Sequence, residues 1–237
     1  MTIVKSTYRR AKLALVIILA SVFANSAYCQ YKGEFGVLGG VSFYNGDANP
    51  TKPFYENNPL YGALLRIRLN DHFMLKFDVD KGTVSGSTEN ITENKYPQNQ
   101  VSRFENDFVN IGAMFELLFF KYGYNSWDKE VKRHTPYVAL GPSLCMFDSW
   151  NGRQYGGGLG LGVGYKVKVG PRVNIGVEWD MHKLFRDDLD VADYDNELLN
   201  DPYKMESSKI KNNDWYSCAY LFVTFDIFKR RGMCRSY

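Results

Sequence analysis

Histidine and cysteine are scarce in this chain of 237 residues, with three of the first and four of the second. Cys29, Cys145, Cys218 and Cys234 have no metal-ligand spacing, and the three that remain beyond residue 29 are an odd number, so neither a zinc site nor a disulfide framework is implied. No G-x-G-x-x-G or Walker spacing is present: the glycines from Gly156 to Gly164 recur at every second residue, which is a strand period and not a phosphate loop. Asp187, Asp188 and Asp190 lack the glycine and terminal glutamate of a calcium loop and read as a solvated acidic segment. Cofactors and metals are therefore not expected, nor is a small-molecule substrate.

A membrane-spanning apolar run is also missing. The stretch from Leu13 to Phe23 is too short to cross a bilayer comfortably, and it follows Lys5, Arg9, Arg10 and Lys12. A positive segment, a short apolar segment and small residues through Gln30 describe a secretory signal peptide over residues 1–29. The cut falls after Cys29 or after Ala27; Tyr28 is too bulky for Cys29 to be a lipoprotein acylation site. Net charge is absent too. The whole chain holds 29 basic and 26 acidic residues, and removal of the four basic ones in the leader leaves 25 against 26, which gives no global electrostatic argument for nucleic acid. The remainder, residues 30–237, has the length of a single domain.

What is abundant is alternation. Tyr61, Ala63, Leu65, Ile67 and Leu69 are apolar, with Leu64, Arg66, Arg68 and Asn70 between them. After an Asn-Asp turn, Phe73, Leu75, Phe77 and Val79 alternate with Met74, Lys76, Asp78 and Asp80. Side chains in a strand point to opposite faces by turns, so this is a hairpin with one apolar and one charged face. The same pattern recurs over Phe35 to Phe43, Phe108 to Phe119, Tyr137 to Phe147, Leu159 to Lys168, Val173 to His182 and Trp215 to Phe228. Loops are expected over Asp47 to Pro59, Thr83 to Arg103, Asp148 to Gln154 and Leu184 to Asp214.

These features predict an all-β protein, an antiparallel transmembrane β-barrel of about eight strands with a side-chain-filled interior, in the outer membrane of a Gram-negative bacterium. The spans are long for soluble strands, and tight connections alternate with long ones. Aromatic residues, Phe35, Phe43, Tyr61, Phe73, Phe119, Trp179 and Trp215, fall near the ends of the apolar faces as girdles do. Gly158, Gly160, Gly162 and Gly164 share a side with Lys166 and Lys168, which makes room inside a barrel and would only weaken a solvent-facing strand. Arg66, Arg68, Lys76, Asp78, Asp80, Glu116, Lys166, Glu178 and Asp180 are expected to form a paired interior network. A soluble lipocalin-like barrel would invert the two faces; alternation by itself does not distinguish them.

Asp180 and His182 lie two apart on one face, a spacing that sets them side by side and not in a catalytic relay. No enzyme is expected. Two basic segments fall at the tight-turn end, Lys129, Lys132 and Arg133, and the tail Lys229, Arg230, Arg231 and Arg235. They form a solvated rim or a docking surface for an acidic periplasmic partner.

Gly39-Gly40-Val41-Ser42-Phe43-Tyr44-Asn45-Gly46-Asp47 resembles the first-strand signature of the PorG-like outer-membrane proteins of Bacteroidetes. Thr135-Pro136-Tyr137-Val138, Asn174-Ile175-Gly176-Val177-Glu178 and Lys211-Asn212-Asn213-Asp214-Trp215-Tyr216 are similar to the same family in the same order. Phe185-Arg186-Asp187-Asp188-Leu189-Asp190-Val191 matches the family's loop only in part, with Asp188 where the family has tyrosine. The short basic tail after Phe228 also departs from barrels that end on the aromatic. The resemblance implies a non-enzymatic component of the type IX protein secretion system, associated with outer-membrane lipid and with the ring formed by a periplasmic lipoprotein and its partner. The alternative class is a general surface or structural barrel, adhesin-like, that acts through its long outer loops.

Overall fold

The computed structural model of the chain describes residues 33–45, 56–87, 103–123, 130–149, 152–185, 189 and 214–227. Eight strands close on themselves in sequence order: β1 (Gly33–Asn45), β2 (Asn58–Arg68), β3 (Phe73–Ser87), β4 (Arg103–Leu118), β5 (His134–Ser149), β6 (Gly152–Lys168), β7 (Val173–Leu184) and β8 (Trp215–Ile227). Every neighbouring pair is antiparallel, and β1 closes the barrel against β8 from Gly33↔Ile227 to Asn45↔Trp215. Closure leaves no sheet edge, so every strand satisfies its backbone groups within the sheet, which a lipid environment requires.

The charged face points inward. Arg66, Lys76, Glu116, Lys166 and Glu178 are fully buried, whereas Val37, Leu221 and Phe225 are 61, 65 and 54 % exposed. A soluble barrel would show the reverse. Strands with an apolar outer band and a polar interior belong in a membrane, and with eight antiparallel strands that membrane is a bacterial outer membrane. The four-residue connections after β2 and β6, and the longer one after β4, lie at the same end as Gly33 and Ile227; in barrels of this class the end that holds both termini faces the periplasm.

The hairpins at the opposite end are longer than the alternation suggests. Residues 83–87, expected in a loop, continue β3 and pair with Arg103–Asp107 of β4; Val84 and Phe104 stay buried there, and Thr83 donates to Asp107 at 2.7 Å. Residues 148–149 and 152–154, also expected in a loop, are strand and pair through Asp148↔Arg153 and Ser149↔Gly152. Both corrections have one cause. Beyond the lipid the outer face no longer has to be apolar, so the pattern fades while the ladder continues. A third correction concerns Phe43, expected in the aromatic girdle. It is buried together with Ser42 and Tyr44, because the outer end of β1 is covered on both faces. Phe35, Tyr61, Phe119, Trp179 and Trp215 are exposed on the barrel wall.

The glycines of β6 make room for side chains from β4, β5 and β7. A Cβ at Gly160 would stand 2.2 Å from the Met114 methyl, at Gly162 2.2 Å from an Asp180 oxygen, and at Gly164 2.3 Å from the Tyr137 ring. The lumen is a packed core with its volume balanced across strands.

Candidate functional site

The interior charges are organised around Arg66. Its Nε donates to Glu116 at 2.6 Å and its Nη2 to Glu178 at 2.8 Å and to the Tyr137 hydroxyl at 3.1 Å. The Phe222 ring lies 4.2 Å from the guanidinium carbon. Tyr137 in turn donates to Glu178 at 2.6 Å. Lys76 extends the chain of contacts, with Nζ 2.6 Å from Glu178, 2.9 Å from Asp180 and 3.5 Å from Asp78, and Tyr220 donates to Asp180 at 2.7 Å. Lys166 lies 3.7 Å from Glu34 and 3.8 Å from Glu116. Such charges are tolerable away from water because each meets opposite charge or a hydrogen-bond partner.

Asp78 and Asp80 stand one layer outward and share the Asn110 amide at 3.3 and 3.2 Å. Arg68 is set apart from the Arg66 cluster: it lies at the periplasmic end, where it donates to the Tyr122 carbonyl at 2.9 Å. Sequence reasoning left several members out of the network. Glu34, Lys168, Asn174 and Asp226 all sit on inward parities, and Lys168 reaches Asp226 at 2.6 Å and Asn174 at 2.9 Å. Tyr137 and Tyr220 follow the same parity, but carry no formal charge by which the pattern would assign them to the network.

Both ends of the lumen are closed by residues from connections. At the periplasmic end Tyr122 turns inward and donates to Asn174 at 2.7 Å, with the Lys166 and Lys168 ammonium groups 5.0 and 5.4 Å from its ring. Burial, reinforced by the nearby Glu34 and Asp226 carboxylates, pushes the Tyr122 phenol far above its ordinary range, so it remains a neutral donor. At the outer end Leu189 is fully buried. Its N–H donates to Asp214 at 3.0 Å and its carbonyl accepts from Asn106 at 2.9 Å, while Tyr44 donates to the other Asp214 oxygen at 2.6 Å. Asp214 thus fastens the β7–β8 connection to β1. Removing a buried hydrogen-bond partner costs about 1–3 kcal/mol, and Asp214→Ala is expected to lower the unfolding free energy of the refolded barrel in urea by that amount.

His182 does not assemble a relay. Its Nδ1 is 3.3 Å from the Ser143 hydroxyl, its ring stacks on Tyr216 at 4.8 Å, and the side chain is buried. Asp180 is engaged with Lys76 and Tyr220 instead. Among the described residues no group of three or more His, Cys, Asp or Glu side chains is arranged to hold a metal ion. Cys145 and Cys218 are free and buried.

Of the basic residues expected at the periplasmic end, Lys132 and Arg133 are exposed beside the start of β5. Lys129, Lys229, Arg230, Arg231 and Arg235 lie outside the described residues, as do the expected leader, Asp187, Asp188 and Asp190. The connection carrying Lys132 is ordered by backbone contacts: Lys132 N–H donates to the Lys121 carbonyl at 2.8 Å and Gly123 N–H to the Lys132 carbonyl at 3.0 Å, and Lys121 pairs with Glu130. The cork Tyr122 and the exposed Lys132 therefore stand on paired segments of one connection.

The family described as a domain of unknown function (DUF6089) matches residues 10–236. Among curated proteins none matches the sequence significantly. Solved structures similar to this chain include Neisserial surface protein A (14% identity, 82% of this chain and 97% of that one, TM-score 0.47). The N-terminal β-barrel domain of Pseudomonas aeruginosa OprF is similar as well (15%, 83% and 97%, TM-score 0.43). So is the attachment invasion locus protein Ail of Yersinia pestis (12%, 82% and 98%, TM-score 0.41). These likenesses concern architecture alone.

Proposed function

The chain belongs to the DUF6089 family, and we propose that this barrel is a non-enzymatic outer-membrane component of the type IX protein secretion system that anchors a periplasmic ring complex. The observation that supports this most is the combination of a side-chain-filled lumen with the exposed basic pair Lys132 and Arg133 at the periplasmic end. Interior side chains are engaged with one another, which favours activity at the ends of the barrel. Lys132 and Arg133 are exposed there with Arg172 on the adjacent turn, and Lys129 and the tail residues Lys229, Arg230 and Arg231 add to the same charge by sequence. Opposite charge steers encounter and fixes register, which suits an acidic face on the lipoprotein or its partner. The resemblance to PorG-like proteins supports the same reading, and residues 1–29 as a secretory leader fit export to this location.

A surface barrel acting through its outer loops is the second reading, favoured by one observation: β3–β4 and β5–β6 continue as paired hairpins at the outer end, beyond the apolar band. Affinity purification of the tagged protein from gently solubilised outer membranes separates the two. Recovery of a ring lipoprotein and its partner, diminished when Lys129, Lys132 and Arg133 are reversed in charge, supports the secretion role. Recovery of the barrel alone, with cargo export intact in a deletion strain, selects the surface role.

A further inference from the structure

On the outer wall, where β4, β5 and β6 reach the periplasmic end, four side chains form a continuous set. The Lys132 ammonium lies 3.9 Å from the centre of the Phe120 ring. Phe120 meets the His134 imidazole edge to face at 5.7 Å. His134 stacks on Tyr165 at 5.9 Å with an interplanar angle of 29°, and its Nδ1 is 2.9 Å from the Tyr165 hydroxyl. That contact fixes the imidazole ring, while among the described residues no hydrogen-bond partner engages its Nε2. Lys132, His134 and Tyr165 are all exposed.

Position identifies what this set faces. His134 has the parity of Leu140 on β5, and Tyr165 that of Leu161 and Val163 on β6; all three of these apolar side chains are exposed on the lipid wall. The set therefore stands at the lower boundary of the apolar band, at headgroup depth, where aromatic rings and snorkelling cations are at home. Arg133 is exposed next to it, and the acidic residue nearest in sequence, Glu130, is paired with Lys121. Headgroup depth, local positive charge and an adjacent apolar stripe together match one class of ligand.

We propose that this rim is a binding site for an acidic phospholipid of the periplasmic leaflet, with the phosphate against Lys132 and His134 and the acyl chains along Leu140, Leu161 and Val163. The site is distinct in kind from partner docking, although Lys132 contributes to both. Phosphates are natural acceptors for lysine and imidazole donors, and Tyr165 acts by holding the imidazole in place.

The test needs no partner protein, so it succeeds or fails independently of the secretion role. The purified full-length barrel is exchanged into detergent containing equal dioleoylphosphatidylglycerol and dioleoylphosphatidylcholine, and retained lipid is counted by native mass spectrometry. Retention of the phosphatidylglycerol is expected to exceed that of the phosphatidylcholine by roughly fivefold or more, the worth of one basic side chain near an anionic headgroup. The preference should disappear in Lys132→Ala/His134→Ala and persist in Arg172→Ala. Both replaced side chains are exposed, and heat-modifiable migration verifies folding; Lys132→Gln alone serves if the double variant misfolds. Equal retention of both lipids by the unaltered barrel, or an unchanged preference in Lys132→Ala/His134→Ala, overturns the proposal.

Discussion

Arg66→Met is expected to destabilise the barrel more than the loss of any other charged side chain in the lumen. The substitution keeps the side chain's length and apolar stem, and it leaves Phe222 a surface to pack on. It removes the group that joins Glu116, Glu178 and Tyr137. Breaking a buried ion pair by deleting one partner costs about 3–5 kcal/mol, because the other partner keeps its desolvation penalty. Lys166 is 3.8 Å from Glu116 and Lys76 is 2.6 Å from Glu178, so the orphaned carboxylates retain some compensation, and the expected loss lies near the lower bound. Neutralising one carboxylate removes one uncompensated charge. Arg66→Met/Glu116→Gln should therefore recover part of the loss, measured by urea titration of the refolded protein in lipid vesicles. A double variant no more stable than the single one would show that Arg66 acts by shape and not by charge.

The second large effect belongs to the closing seam. At Gly40 an added Cβ would lie 2.1 Å from the Ala219 carbonyl oxygen and 2.5 Å from the Tyr220 Cα. Those are backbone atoms of β8, and no rotamer change relieves the clash. At Gly39, one residue earlier and on the lipid wall, the nearest atom would be 4.0 Å away. Gly40→Val is expected to prevent β1 from pairing with β8 and to abolish the folded, heat-modifiable band on gels. Gly39→Val is expected to fold normally, and its branched side chain suits a strand in lipid. An unimpaired Gly40→Val barrel would mean that the seam is looser than the β1–β8 register shows.

The division between what the sequence reveals and what it hides follows from the period of a strand. Parity assigns each side chain to lumen or lipid, and Leu60 to Gly82 displays it without ambiguity. Parity carries no information on stagger between strands. Arg66 and Glu178 are 112 positions apart, and only the barrel's shear brings them to one level. For the same reason Arg68, on the inward parity of Arg66, was not separable from the central cluster by pattern. Tyr122 and Leu189 were hidden more thoroughly, because each comes from a connection, where no period exists. The short motifs over residues 39–47, 135–138, 174–178 and 211–216 acquire a physical meaning here. Gly40, Tyr137, Asn174, Glu178, Asp214 and Tyr216 all serve closure or interior contacts, the last donating to Asn110 at 2.9 Å. Side chains in these positions specify a barrel interior.

Everything in this account depends on which face meets lipid. The most direct measurement replaces Leu221 or Val37 with cysteine in a chain whose native cysteines are changed to alanine or serine, attaches a nitroxide, and reconstitutes the barrel in phospholipid vesicles. Collision of the spin label with oxygen, which partitions into lipid, should far exceed collision with a water-soluble nickel complex at both positions. Greater collision with the nickel complex at either position would place the apolar face away from the bilayer and contradict the account.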